Sequence, residues 1–140
     1  MDKVALFPGS FDPFTVGHEA VVRRLARLFD RIVVAVGVNS DKKYMFTVEQ
    51  REDRIRVMLK DVENVEVTHY DDMTVECCKR WGASYIVRGV RNVKDMEYEQ
   101  QVAAVNRTMA PEIETVIIFA NADMVDVSST IEREKMTHRT

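Results

Sequence analysis

At 140 residues, 46% hydrophobic and 31% charged, the chain has the length and composition of one folded domain with a sizeable core, which excludes a disordered polymer. A formal charge of −3 argues against a protein that coats nucleic acid, because phosphate backbones call for a basic excess; it still allows a local cation cluster that grips a small anion. No stretch approaches the ~20 apolar residues of a membrane span, and MDKVALFPG is too short an apolar start for a signal peptide, so a cytoplasmic protein without a membrane role is expected.

The first apolar run, Val4–Phe7, predicts a strand. It runs into PGSFDPFTVGH, residues 8–18, a mixture of prolines, glycines and a histidine that no regular element calls for. Gly9 permits a sharp exit from the strand, Pro13 restricts the loop, and Gly17 lets a ligand approach the backbone. Val21, Val22, Leu25, Leu28 and Phe29 then repeat at the spacing of one helical face, predicting a helix over Ala20–Phe29. A strand is predicted at Ile32–Val38, followed by the polar NSDKKYM of Asn39–Met45. Thr47 and Gln50 form a capping box opening a helix from about Val48 to Lys60, with Ile55, Met58 and Leu59 on its apolar side.

The second half repeats the pattern. Val65–Tyr70 reads as a strand, Asp71-Asp72-Met73 as a polar loop, and Thr74–Trp81 as a helix closed by Gly82. Cys77 and Cys78 are neighbours, which suits neither a disulfide nor a zinc pair, so they are expected to be helix residues in a reducing compartment, one of them buried. Tyr85–Val87 is the next strand, ending on Arg88-Gly89-Val90-Arg91, and a long helix is predicted over Met96–Met109. The last strand, Thr115–Ala120, leads into the cluster Asp123–Thr130, and Ser129 with Glu132 makes a second capping box that starts a final helix.

Strand–helix alternation repeated five times, with near-continuous apolar strands, predicts an α/β fold. It is expected to be a Rossmann-like, doubly wound, five-stranded parallel sheet with helices on both faces, and residues 1–140 are read as a single domain. Every polar or glycine-bearing cluster falls at the carboxyl end of a strand, where open α/β sheets bind ligands.

Those clusters carry chemistry suited to anions, each beside a plainer structural alternative. Gly17-His18 sits at a helix start, where free amides and the helix dipole attract negative charge, and His18 can donate to a phosphate oxygen or simply lie at the surface. Lys42 is either an anion ligand or one of two lysines on a solvated loop. Arg88 closes an apolar strand, a costly place for a charge unless an anion or an acidic neighbour meets it. Asp95 and Glu99 share a helical face and would repel unless ligand hydroxyls or cations such as Arg91 or Lys94 stand near. Ser128, Ser129 and Thr130 offer hydroxyls and amides to phosphates, or cap a helix. Neither GxGxxG nor GxxxxGK[ST] is present, which disfavours a dinucleotide oxidoreductase or a P-loop ATPase.

Thr15-Val16-Gly17-His18 resembles the [HT]xGH motif of the nucleotidyltransferase superfamily. Lys42 in DKKYMF, RGVRNVKDMEYE over Arg88–Glu99, Asn106-Arg107, and VSSTIERE over Val127–Glu134 together resemble the phosphopantetheine adenylyltransferase family, over almost the whole chain. The resemblance implies transfer of AMP from ATP to 4′-phosphopantetheine, giving dephospho-coenzyme A and pyrophosphate. It further implies direct in-line displacement, with Mg²⁺ held mainly by substrate phosphates and no dedicated metal ligands.

By the same resemblance His18, Lys42, Arg88 and Arg91 would be the catalytic set, and Ser10, Lys42, Thr74 and Arg88 would hold phosphopantetheine. ATP would lie against Ser10, Phe11, Gly17, His18, Gly89, Val90, Arg91, Glu99, Met124, Val127, Ser128, Ser129 and Thr130. A homohexamer and feedback binding of coenzyme A are expected on the same ground. Ser10 stands where the family often has threonine, and Met124 where it commonly has an aromatic, so adenine would meet apolar contact without stacking. Family members usually continue for roughly twenty residues beyond the equivalent of Glu134, so the usual C-terminal tail is expected to be lacking here. The alternatives are another nucleotidyltransferase of the superfamily, acting on nicotinate mononucleotide or using CTP, and a non-catalytic nucleotide-binding protein.

Overall fold

In a computed structural model, residues 2–120 are described; the cluster Asp123–Thr130 and the helix expected from Ser129 lie outside them. Strands β1 (Val4–Gly9), β2 (Arg31–Gly37), β3 (Val65–Tyr70), β4 (Tyr85–Val90) and β5 (Glu114–Phe119) alternate with helices α1 (Val16–Ala26), α2 (Val48–Met58), α3 (Thr74–Trp81) and α4 (Val93–Met109). All neighbouring strands pair in parallel, in the order β3-β2-β1-β4-β5. The expected doubly wound sheet is therefore observed.

Alternate residues of the central strands feed two separate cores, because successive side chains leave a strand on opposite faces. Ala5, Phe7, Ile32, Val34, Val36 and Val87 meet Val21, Val22 and Leu25 of α1 and Ile55 of α2. Val4, Leu6, Val33, Ala35 and Ile86 meet Val75, Cys77 and Cys78 of α3 together with Ala110 and Ile113. Both cysteines are thus buried, where one was expected, and burial pushes the Cys78 thiol up to about 12, which keeps it from reacting as a thiolate.

The sheet order places a switch point between β1 and β4, since β2 and β3 continue to one side and β4 and β5 to the other. Pairing of β1 with β4 spans only Ala5↔Tyr85 and Leu6↔Ile86, whereas β1 stays paired with β2 as far as Gly9↔Val36. Pro8, with no N–H to donate, falls where β1–β4 pairing has already stopped. A notch opens there, at the carboxyl edge.

Several boundaries differ from the expected ones for local reasons. Helix α1 begins at Val16, because the Thr15 hydroxyl and the His18 ring form a reciprocal cap, so Gly17 and His18 lie within its first turn. The helix ends at Ala26, and Leu28, expected on the buried face, is 65% exposed. Helix α4 starts at Val93, three residues before the expected Met96, because the Asn92 side chain accepts the Asp95 N–H at 2.8 Å. Arg88, Gly89 and Val90 belong to β4, held by pairing with Ile117, Ile118 and Phe119 of β5. The capping box of Thr47 and Gln50 and the left-handed Gly82 that closes α3 match the expectation.

Candidate active site

The loop after β1 is built around Phe11. Its φ of 48° lies in the left-handed region, which costs a non-glycine residue about 1–2 kcal/mol and is held here by packing of the ring. That ring sits 5.4 Å from Phe7, 5.2 Å from Phe14 and 5.0 Å from His18, centroid to centroid. Gly9 is needed for a reason the loop pattern did not show: a Cβ there would come within 2.8 Å of the Phe11 ring. Phe11 is therefore a buried wedge that supports the histidine.

The Thr15 N–H donates to Nδ1 of His18 at 2.9 Å, so that nitrogen carries a lone pair and the proton of the neutral ring is on Nε2. Burial lowers the His18 pKa below its ordinary value, and the nearby positive charge of Arg91 lowers it further. At neutral pH His18 is an uncharged donor through Nε2, suited to a phosphate oxygen. Protonating Nδ1 would set two donors face to face at the Thr15 cap. Because the folded state holds the lower pKa, the cap's stabilisation is present above the unfolded value and is lost as pH falls through the folded one. An NMR titration is expected to place the His18 midpoint below that of a free imidazole, with Arg91→Ala moving it upward; a midpoint at or above the free value would contradict this electrostatic picture.

A cavity of about 790 Å³ opens at the carboxyl edge over the switch point. It brings together Ser10, Lys42, Thr74 and Arg88, four residues remote from one another in sequence and supplied by the segments at the ends of β1, β2, β3 and β4. Asn39 shapes the loop carrying Lys42: its side chain accepts the Asp41 N–H at 3.0 Å, its carbonyl accepts the Lys42 N–H at 3.0 Å, and its own N–H donates to the Tyr44 hydroxyl at 2.9 Å. The Thr74 and Tyr70 hydroxyls are hydrogen-bonded at 3.0 Å, which fixes Thr74 at the cavity wall.

Arg88 joins the cavity to an ion pair. Its Nε and one terminal nitrogen donate to the two carboxylate oxygens of Glu99 at 2.9 and 3.0 Å, and the other terminal nitrogen donates to the Pro8 carbonyl at 2.8 Å across the notch. Glu99 is buried, and its partner is Arg88 rather than the Arg91 or Lys94 weighed from the sequence. The Arg91 side chain turns to Asp95 instead, at 3.4 Å.

Of the other residues assigned to ATP, Gly17 and Arg91 are exposed, while the Val90 side chain is buried and its carbonyl accepts the Ala120 N–H at 2.8 Å. Gly89 has ordinary space, the nearest contacts for an added Cβ being Val21 at 3.9 Å and Ala120 at 4.0 Å. Ser10, assigned to both substrates, lines the cavity with the residues assigned to the acceptor, whereas Phe11, Gly17, His18, Gly89, Val90, Arg91 and Glu99 are not among its lining residues. Met124, Val127, Ser128, Ser129 and Thr130 lie outside the described residues.

One wall escaped the sequence reading. Tyr98, Val102, Val105 and Met109 line the cavity from α4 together with Asn106. The signal was present as a stripe spaced four, three and four residues apart, which ordinarily marks a helix face packed into a core. Here the stripe stays open, with Tyr98 61% and Val105 57% exposed.

With this geometry in view, residues 6–135 match the model of the cytidylyltransferase-like family. The chain is 44% identical over 136 residues to a phosphopantetheine adenylyltransferase of Bacteroides thetaiotaomicron, covering 97% of this chain and 89% of that protein. It is 41% identical over 132 residues to one from Lachnoclostridium phytofermentans, covering 94% and 81% respectively. Among solved structures, a lipopolysaccharide core biosynthesis protein from Thermoplasma volcanium shares the fold with a TM-score of 0.62 at 17% identity, over 86% of this chain and 98% of that one. A bifunctional NMN adenylyltransferase/ADP ribose pyrophosphatase from Francisella tularensis shares it with a TM-score of 0.66 at 16% identity, over 96% of this chain and 42% of that one.

Proposed function

Since the chain belongs to the phosphopantetheine adenylyltransferases within the cytidylyltransferase-like family, we propose that it transfers AMP from ATP to 4′-phosphopantetheine, releasing pyrophosphate and forming dephospho-coenzyme A. The observation that carries this reading is the cavity uniting Ser10, Lys42, Thr74 and Arg88 at the switch point. It offers hydroxyls and cations at the strand ends for a phosphate, and an α4 wall of Tyr98, Val102 and Val105 for a long, mostly apolar arm.

In this reading an oxygen of the acceptor phosphate attacks the α-phosphorus of ATP, a new P–O bond forms, and the bond to the pyrophosphate oxygen breaks. No side chain need become covalently attached, so catalysis consists of positioning two anions and stabilising the charge that develops between them. Ser10 and Lys42 hold the acceptor phosphate, with Arg88 beside them. His18 donates its Nε2–H to the α-phosphate, and the bond strengthens as charge grows on the oxygens. Glu99 acts on the acceptor side by orienting Arg88, a different role from nucleotide contact.

Mg²⁺ belongs to this proposal as a companion of the ATP phosphates, its usual mode in nucleotide enzymes. When bound it would supply charge neutralisation on the leaving pyrophosphate. A homohexamer, feedback binding of coenzyme A and a cytoplasmic setting belong to the same proposal. Exposed apolar side chains such as Val16, Leu28 and Phe119 provide surface for self-association, and coenzyme A shares the phosphopantetheine and adenylate portions of the product. Among the described residues no helix is long and apolar enough to cross a membrane.

Incubation with ATP and 4′-phosphopantetheine is expected to release pyrophosphate and form dephospho-coenzyme A in equal amounts. Turnover with nicotinate mononucleotide or CTP, and none with phosphopantetheine, would move the chain to another branch of the superfamily.

A further inference from the structure

Two arginines are drawn from solvent, Arg88 in the cavity wall and Arg51 behind the lining residues Ser10 and Gly37, and among the described residues they are met differently. Arg88 is met by Glu99, whereas Arg51, 2% exposed, has no carboxylate partner among the described residues. Its guanidinium donates to three main-chain carbonyls: Ser10 at 2.9 Å, Gly37 at 3.3 Å and Thr47 at 3.4 Å. The ring of Tyr44, a residue that lines the cavity, lies 4.0 Å from the guanidinium carbon. Burying a cation on neutral partners is expensive, even where its hydrogen bonds are made.

The three carbonyls come from three segments: the residue after β1, the last residue of β2, and the N-cap of α2. A second tie joins the same loops nearer to solvent, where the Asp12 carboxylate accepts the N–H of Met45 at 2.7 Å and of Phe46 at 2.9 Å. Ser10 lies on one of the tied loops and Lys42 on the other. Only a planar fork with several donors reaches carbonyls in different directions at once, which a lysine cannot do.

We propose that Arg51 is a positioning residue for the acceptor phosphate: it sets the separation of Ser10 and Lys42 and leaves an uncompensated positive charge beneath them. The inference rests on reading the cavity as the phosphopantetheine site. Arg51 is not among the residues lining the cavity, so it acts through Ser10, Lys42 and Tyr44. Its charge lowers the cost of bringing an anionic phosphate to the loop pair, and the fork prevents the loops from separating under that load.

Calorimetry on the full chain tests this with ATP, 4′-phosphopantetheine and unphosphorylated pantetheine as separate ligands. Arg51→Met is expected to weaken phosphopantetheine binding about 10- to 100-fold, the span of one or two lost charge-assisted hydrogen bonds, with ATP and pantetheine changing less than about threefold. Arg51→Lys, which restores the charge without the fork, should recover part of the loss. Asp12→Ala leaves the buried cation in place and should weaken phosphopantetheine selectively by a smaller factor, which keeps the idea testable if Arg51→Met does not fold. An unchanged phosphopantetheine Kd in a folded variant, or an equal loss for all three ligands, overturns the proposal. Wild-type protein that binds ATP but not phosphopantetheine overturns the substrate reading and this inference with it; wild-type binding of both with an unselective variant overturns the inference alone.

Discussion

Replacing His18 with alanine is expected to lower kcat by about 10²- to 10³-fold, the usual cost of removing one donor aimed at a developing oxyanion. The KM values for ATP and phosphopantetheine should change far less, because the lost bond is strongest in the transition state. The physical basis is the fixed tautomer: Thr15 donates to Nδ1 at 2.9 Å, which leaves Nε2 as the donor, and Phe11 and Phe14 hold the ring in place. The same substitution removes half of a helix cap, worth about 1 kcal/mol, so thermal unfolding must be followed alongside the kinetics. A folded variant that retains kcat within about threefold of wild type would remove His18 from the chemistry.

Arg88→Ala is expected to be the most damaging single change for stability and activity together. The carboxylate of Glu99 has a side chain only 6% exposed and is bound at both oxygens by Arg88, whose own side chain is 30% exposed. Removing the arginine strands a buried negative charge, which costs about 3 kcal/mol, the low end for a broken buried pair because the cavity admits water. It also deletes the Pro8 contact across the β1–β4 notch and a cation facing the acceptor site, so kcat/KM should fall by about 10²-fold. Glu99→Ala removes the more buried partner, and the freed guanidinium can turn to water while keeping Pro8; its urea midpoint should therefore fall less. Equal or reversed losses for the two variants would show that the ion pair is not what holds this corner.

Much of this molecule was legible before its structure. Continuous apolar runs such as Ile32–Val36 marked strands covered on both faces, and the caps at Thr47 and Gly82 lay at the helix ends they signalled. The carboxyl-end position of the polar clusters followed from the alternation alone. Where the reading fell short, a contact distant in sequence had overruled a local pattern. The helical stripe of Tyr98, Val102, Val105 and Met109 looks like a core face, and nothing within α4 says that the sheet leaves it uncovered over a cavity. Gly9 resembled a loop glycine until the Phe11 ring was found where its Cβ would stand. Arg51, in a helix rich in charged residues, gave no sign that it would be buried.

The chain's own periodicities and caps therefore determined the order and type of its elements and the edge at which charge collects, because those depend on residues within a few positions of one another. Which cation meets which anion was decided only by the tertiary fold. Glu99 had Arg91 and Lys94 as the cations weighed for it in sequence, and the fold set it instead against Arg88, which also reaches Pro8 where β1 parts from β4. Pairing energies depend on distance and burial, and both are set by strands and loops that are remote along the chain and adjacent in space.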